Sequence, residues 1–213
     1  MHGYTHINGR AAESVPVGVL QHRLLLLRHG ETEWSKSGQH TSRTELDLTE
    51  TGREQAKLAA DALSVLTLDN PLVISSPRQR ALVTAELAGL RVDEVSPLLS
   101  EWDYGDYEGR TTADIRKEVP GWNLWIEGFP RGETIDSVAA RARAVIDRAM
   151  LADGGVALFA HGHILRILTA CWLALPPACA RLFALSTASL STLGYERETR
   201  VITRWNQTCA PES

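Results

Sequence analysis

The chain has 213 residues, of which 44% are hydrophobic and 23% are charged, and its formal net charge is −4. These values are ordinary for a globular protein with a sizeable core, and the slight negative charge excludes a global basic field for binding nucleic acid. Three cysteines without CxxC or metal-ligand spacing, and no apolar run near the roughly 20 residues that span a bilayer, predict a cytoplasmic protein without a membrane segment.

The first predicted strand follows a segment without clear structure. Residues 1–22 lack the basic segment and the apolar stretch of about 7–15 residues that a signal peptide needs. We expect them to form a poorly ordered extension, with a single domain over residues 23–213. The apolar run at 23–27 is typical of a strand buried on both faces of a parallel sheet. It ends on Arg28-His29-Gly30, where two side chains need a charge partner.

Helices and strands alternate along the rest of the chain. One-sided apolar spacing and capping residues predict helices that begin at 49 and that cover 78–87, 133–151 and 164–175. Apolar or alternating segments predict strands at 72–74, 92–95, 156–160, 189–195 and 201–205. Residues 102–132 hold three tryptophans without a clear period, which indicates a loop-rich excursion with a short helix near 111–118. This order favours an α/β fold of three layers with a mostly parallel central sheet.

Polar side chains follow the predicted strands of this sheet. Because open parallel sheets bind ligands at the carboxyl ends of their strands, we expect these side chains to share one crevice. The crevice would collect two histidines, two arginines or more, and a carboxylate: Arg28, His29, Arg78, Arg80, Glu101 and His161. Arginine matches the oxygens of a phosphoryl group, a neutral imidazole can attack phosphorus, and a carboxylic acid can protonate the leaving alkoxide. The set predicts phosphoryl chemistry without a metal or another cofactor.

Several of these residues belong to longer motifs. The motifs are Arg28-His29-Gly30-Glu31-Thr32, Ser76-Pro77-x-x-Arg80-Ala81, Leu99-x-Glu101-x-x-x-Gly105-x-x-Glu108-Gly109 and Ala160-His161-Gly162. In this order they resemble the motifs of the histidine phosphatase (phosphoglycerate mutase-like) superfamily. The resemblance covers residues 24–205 and implies a phosphoglycerate mutase-like fold.

The resemblance also implies a role for each matching residue. His29 would be the nucleophile that becomes phosphohistidine, and Glu101 would be the proton donor. Arg28, Arg80 and His161 would form the phosphate pocket, where Arg80 rather than Arg78 matches because the family arginine directly precedes an alanine. The other expected substrate-binding residues are Thr32, Ser35, Thr41, Ser42 and Gly162.

Four further features have two interpretations each. His163 contacts the substrate or only caps the helix that follows it. Arg78 is a second pocket arginine or a surface charge. The three tryptophans of the excursion line a substrate cap or pack the excursion against the domain. The apolar helix at 164–175 supports a homodimer contact or lies in the core.

The outcome of the reaction depends on the excursion after Glu101. Mutases of this superfamily carry there an arginine-rich segment that grips the carboxylate and second phosphate of phosphoglycerate, whereas residues 119–128 contain no arginine. We therefore expect hydrolysis of phosphate monoesters of small metabolites, with a phosphoglycerate mutase as the alternative. Segments 38–48, 101–109 and 159–163 are similar to a branch of acid phosphatases and sugar bisphosphatases. A non-catalytic binding module is disfavoured, because the chain keeps both the nucleophile and the acid.

Overall fold

A computed structural model describes residues 21–64 and 70–208. Its strands are β1 (Gln21–Arg28), β2 (Leu72–Ser75), β3 (Glu94–Val95), β4 (Val156–Ala160), β5 (Leu190–Glu196) and β6 (Thr199–Gln207). Its helices are α1 (Glu33–Ser37), α2 (Glu50–Ser64), α3 (Gln79–Leu87), α4 (Thr112–Glu118), α5 (Leu124–Glu127), α6 (Ile135–Met150) and α7 (Gly162–Trp172). The predicted extension at 1–22 lies outside the described residues except for its last two positions, which belong to β1.

One six-stranded sheet forms the centre of the fold, with the strand order β3-β2-β4-β1-β5-β6. The four strands β1 to β4 run parallel to one another. β5 pairs antiparallel with β1, and β6 pairs antiparallel with β5. The predicted mostly parallel sheet is confirmed, and the carboxyl ends of β1, β2 and β4 lie at the same edge.

The leucines of β1 pack alternately on the two faces of the sheet. Leu24 and Leu26 belong to a core cluster with residues of α6 and α7, whereas Leu25 and Leu27 belong to a cluster with residues of α2 and α3. None of the four is more than 1% exposed. Burial of one such side chain stabilises the fold by about 2 kcal/mol. The predicted three layers are therefore confirmed, with β1 in the middle layer.

The excursion after Glu101 is more ordered than its sequence indicated. It contains a 3-10 turn at Gly105–Tyr107 and the short helices α4 and α5. Trp102 and Trp122 are buried and contact the ring of Phe129, at 5.2 and 5.6 Å between ring centroids. Two of the three tryptophans therefore pack the excursion against the domain.

Helix α7 lies in the core of the same chain. Its buried residues include Ile164, Leu165, Ile167, Leu168 and Trp172. The core therefore accounts for the apolar character of this helix, and no second subunit is needed to cover it. Within the described residues, no helix combines the length and the apolar character that crossing a bilayer requires.

Candidate active site

The carboxyl ends of β1 and β4 bring two histidines together. The strands pair in register, with Arg28 beside Ala160, so that His29 and His161 follow at neighbouring positions. Their ring centroids are 5.1 Å apart. A cavity of about 240 Å³ opens at this edge, and Arg28, His29 and Glu101 are part of its wall.

The ring of His29 is held in one tautomer. Nδ1 lies 2.8 Å from the carbonyl oxygen of Gly30, which can only accept, so Nδ1 carries the proton. Burial, followed by the charges of Arg28 and Arg80, lowers the pKa of His29 well below its ordinary value. The imidazole is therefore neutral near pH 7, and the lone pair of Nε2 is available as a nucleophile.

Gly30 packs between helices α2 and α3. Its N–H donates to Oγ1 of Thr84 at 3.0 Å, and this hydroxyl donates to the carbonyl of Arg80 at 2.6 Å. A Cβ at position 30 would lie 2.3 Å from the carbonyl oxygen of Gly52, so the close approach requires glycine. The residue after the nucleophile is thus fixed by α3 and by the first turn of α2.

Arg28 keeps one buried donor without a partner. Its Nη1 donates to the carbonyl of Leu185 at 2.6 Å, whereas Nε is buried and has no hydrogen-bond partner among the described residues. Gly162 lies beside it, and a Cβ there would approach this Nε to 3.5 Å. An unpaired guanidinium donor beside the nucleophile is suited to an oxygen of a phosphoryl group.

Arg80 and His161 are completely buried and, as the structure stands, do not line the cavity. Nε of Arg80 donates to Nδ1 of His161 at 3.3 Å. Because Nδ1 accepts, the proton of the neutral ring is on Nε2, which lies 2.8 Å from Oγ of Ser76. Burial, followed by the charge of Arg80, lowers the pKa of His161 well below its ordinary value. Sequence reasoning missed Ser76 as the partner of this ring.

Glu101 lies at the N-terminus of α7. Its Oε1 accepts from the N–H groups of Trp102 and Ile164, and its Oε2 accepts from the N–H of His163, all at 2.9 Å. These bonds satisfy free donors of the first helical turn, which explains why α7 begins at Gly162 and not at the predicted Ile164. Oε1 takes two hydrogen bonds and Oε2 one, so Oε2 keeps an acceptor position free.

The remaining predicted substrate-binding residues divide into two groups. Three of them line the cavity: Ser35, Thr41 and Gly162. Thr32 does not, because it is the buried N-cap of α1 and its Oγ1 accepts from the N–H of Ser35. Ser42 does not either, because its hydroxyl donates to Oε2 of Glu108 at 2.7 Å. The hydroxyl of Thr32 thus caps a helix, and the hydroxyl of Ser42 binds the carboxylate of Glu108.

The structure also shows the surroundings of His163 and Arg78. His163 lines the cavity, and its Nδ1 lies 2.6 Å from the hydroxyl of Tyr104. Arg78 lies outside the cavity and forms an ion pair with the exposed Glu45 at 2.9 Å. His163 therefore belongs to the site, whereas Arg78 is half-buried, lines a neighbouring cavity with Glu101 and keeps a buried Nε without a partner among the described residues.

Other residues of the cavity wall were missed by sequence reasoning, namely Gln39, His40, Tyr104, Thr112, Leu124, Arg166 and Leu185. Arg166 follows His163 by three residues, so the two share a face of α7, and this spacing was an available signal. Its guanidinium lies 4.7 Å from the ring centroid of Trp125. The absence of arginine from residues 119–128 therefore does not leave the cavity without a second cation.

Comparisons with known proteins agree with this geometry. The model of the histidine phosphatase superfamily (branch 1) matches residues 24–208. An acid phosphatase of Mycobacterium tuberculosis is 50% identical over 186 residues, which cover 86% of this chain and 92% of that protein. The sedoheptulose 1,7-bisphosphatase of Saccharomyces cerevisiae is 37% identical over 186 residues, with coverage of 72% and 68%.

A solved structure of an open reading frame product of Mycobacterium tuberculosis shares the fold. It superimposes with a TM-score of 0.86 at 48% identity, over 89% of this chain and 99% of that chain. The phosphoglycerate mutase-like fold, the family and the phosphatase activity expected from the motifs are thereby confirmed. The chain belongs to the histidine phosphatase superfamily, branch 1, and is a phosphatase.

Proposed function

We propose that this phosphatase hydrolyses phosphate monoesters of small metabolites through a phosphohistidine at His29, and that it needs no metal ion. The observation that carries the proposal is the fixed tautomer of His29. Its Nδ1–H is bound to the carbonyl of Gly30, so Nε2 is free in a cavity whose wall also contains Arg28 and Glu101. Nucleophile, cation and acid thus lie in the wall of one cavity.

In the first step, Nε2 of His29 attacks phosphorus while the bond from phosphorus to the leaving oxygen breaks. The proton that the leaving oxygen needs comes from Oε2 of Glu101, the oxygen with the free acceptor position. Nε of Arg28, which has no hydrogen-bond partner among the described residues, takes an oxygen of the phosphoryl group and stabilises its charge. The products of this step are the alcohol and phosphohistidine.

In the second step, a water molecule attacks phosphorus and the bond to Nε2 breaks. The water proton passes to Oε2 of Glu101, which regenerates the acid, and inorganic phosphate leaves. Departure of the phosphate leaves His29 neutral, since the proton on Nδ1 stays there, hydrogen-bonded to the carbonyl of Gly30, throughout. Each residue therefore returns to its starting state after one turnover.

Hydrolysis is favoured over intramolecular transfer, although Arg166 supplies a cation that a second anionic group could use. The acid phosphatase and the sedoheptulose bisphosphatase are both phosphatases by name and are similar over most of this chain. The two outcomes are separated by assaying phosphoglycerate with the purified enzyme. We expect release of inorganic phosphate to exceed interconversion of the phosphoglycerates, and faster interconversion would establish a mutase.

The covalent step is tested with His29→Ala. We expect the variant to lose hydrolysis of p-nitrophenyl phosphate and to retain no labelled phosphate after denaturation without acid, whereas the unmodified enzyme becomes labelled. EDTA should leave the activity unchanged, and vanadate, which mimics the five-coordinate phosphorus, should inhibit. Activity in His29→Ala would overturn the role of the nucleophile, and loss of activity in EDTA would indicate a metal site.

A cytoplasmic location is also a proposal, based on cysteines that are few and without pairing spacing. Cys171 and Cys179 are free thiols, as expected for a reducing compartment. Fractionation of cells that produce the protein at its natural level tests this proposal. Homodimer formation, the other expectation from the sequence, is tested by measuring the mass of the protein in solution.

A further inference from the structure

Three acceptors fix the guanidinium of Arg80. Nη2 donates to the carbonyl of Ser42 at 3.1 Å, Nη1 donates to the carbonyl of Thr44 at 2.9 Å, and Nε donates to the ring of His161. Two of these three acceptors are main-chain groups of a segment that is neither helix nor strand. The direction in which Arg80 meets His161 therefore depends on what holds residues 42–44 in place.

The carboxylate of Glu108 holds this segment. It accepts the N–H groups of Ser42 and Thr44 at 3.0 Å, and its Oε2 accepts the hydroxyl of Ser42 at 2.7 Å. The two residues that give their N–H groups to Glu108 are thus the two that offer their carbonyls to Arg80. Within the described residues, Glu108 and Arg80 share these two residues and form no hydrogen bond or ion pair with each other.

The backbone around Glu108 is itself fixed. The N–H of Gly109 donates to the carbonyl of His40 at 2.8 Å, and the N–H of His40 donates to the carbonyl of Arg110 at 2.9 Å. Burial raises the pKa of Glu108, but the hydrogen bonds from Thr44 and Ser42 outweigh this effect and hold it below its ordinary value. The group is an anion at neutral pH, and an ionised carboxylate accepts stronger hydrogen bonds than a neutral group.

We propose that Glu108 is a positioning residue for the phosphatase reaction, which acts on Arg80 through the carbonyls of Ser42 and Thr44. Glu108 does not line the cavity, and its carboxylate is already bound to the N–H groups of Ser42 and Thr44 and to the hydroxyl of Ser42. Through this chain of hydrogen bonds it sets the direction of the Arg80 guanidinium and thereby the orientation of His161 beside the nucleophile. The inference rests on the proposed roles of His29 and its neighbours.

The first test compares Glu108→Ala with Glu108→Gln. Glu108→Ala removes both carboxylate oxygens. It should lower kcat/KM for p-nitrophenyl phosphate by up to about 100-fold, because small displacements of catalytic groups have effects of this size. Glutamine keeps one carbonyl oxygen for the N–H donors, so it should restore part of the activity. Glu86→Ala, on the exposed side of α3, is the matched control and should behave as the unmodified enzyme.

The second test separates positioning from a general structural role. In an Arg80→Lys background the two carbonyls no longer orient a guanidinium, so Glu108→Ala should reduce kcat/KM by less than about twofold further. Losses that multiply in the double variant would overturn the proposal, as would full activity in Glu108→Ala. If Glu108→Ala does not fold, Ser42→Ala removes only the hydroxyl donor, and the same double-variant comparison is made with it.

The activity of His29→Ala is measured in parallel. It distinguishes failure of the positioning role of Glu108 from failure of the proposed function. An active His29→Ala enzyme would overturn the phosphohistidine mechanism, whatever the Glu108 variants do. An inactive His29→Ala enzyme together with a fully active Glu108→Ala enzyme would overturn only the positioning role. Melting temperatures of all variants show which of them are folded under the assay conditions.

Discussion

Arg80 and His161 form a buried pair in which the guanidinium Nε–H donates to Nδ1 of the imidazole at 3.3 Å. The second ring nitrogen lies 2.8 Å from Oγ of Ser76. Because both nitrogens have a partner, the ring has one tautomer and one orientation. The position of His161 beside His29 thus depends on a serine that does not reach the cavity.

Substitution of Ser76→Ala is expected to lower kcat about tenfold. A buried N–H without an acceptor costs roughly 1–3 kcal/mol, so the imidazole will turn towards another partner and lose its orientation. Steady-state kinetics with p-nitrophenyl phosphate measures the effect. Ser137→Ala, at an exposed position of α6, serves as the control, and an unchanged kcat in Ser76→Ala would contradict this role.

Substitution of Glu101→Gln should have an effect that depends on the leaving group. An alkyl phosphate needs a proton at the leaving oxygen, and we expect its hydrolysis to fall by about 100-fold or more. For p-nitrophenyl phosphate the leaving phenolate is stable without a proton, so the loss should stay below about tenfold. Comparing kcat/KM for the two substrates on the same preparation provides the control. Equal losses would show that Glu101 does not supply the proton.

The buried histidines should make the folded state sensitive to acid. Burial lowers the pKa of His40 from 6.5 to about 4. Below pH 6.5 the unfolded chain therefore binds a proton that the folded chain excludes, so the stabilisation present above this pH is lost as the pH falls towards 4. For one histidine this loss reaches about 2 kcal/mol at pH 5.

His40→Phe removes this contribution, and phenylalanine suits a site that contacts Tyr104, Trp122 and Phe129. We expect the free energy of unfolding to fall less between pH 7 and pH 5 in the variant, by about 2 kcal/mol. Denaturant titration at the two pH values measures the difference. An identical pH dependence in both proteins would show that His40 is not the group that titrates.

Arg166 should influence which substrates bind well. Its guanidinium lies in the cavity wall over the ring of Trp125, and residues 119–128 contain no such cation. Arg166→Gln should raise KM for phosphate monoesters that carry a second anionic group and leave KM for p-nitrophenyl phosphate within about twofold. KM values for a panel of phosphate monoesters, measured with the unmodified enzyme and with Arg166→Gln, check this prediction. A uniform rise in KM would instead indicate a general change in the cavity.

The part of the site that the sequence predicted lies at the ends of strands. A buried parallel strand has a defined direction, so the residues after β1 and β4 had to meet at one edge of the sheet. This reasoning, with the family motifs, located Arg28, His29 and His161 correctly. Periodicity also placed β4 without error, because a continuous apolar run has few alternative interpretations.

The part that the sequence did not predict lies on loops and helix faces. His40 and Tyr104 come from irregular segments, where no period indicates which side chains turn inward. Arg166 lies on α7. The spacing of residues along a helix defines which of them share a face, but not which part of the structure that face contacts. The sequence also did not show that the hydroxyl of Thr32 binds the N–H of Ser35 and that the hydroxyl of Ser42 binds Glu108, because short hydroxyl side chains have many possible partners.

The packing of β1 on both edges and both faces has a consequence for how the enzyme loses activity on heating. β4 and β5 pair with the two edges of β1, and its alternating leucines pack into the two core clusters on either face of the sheet. Such a strand exchanges its amide hydrogens only when the whole domain opens. Because the nucleophile follows this strand directly, partial unfolding elsewhere cannot release it. His29 should therefore keep its position until the domain unfolds as a whole.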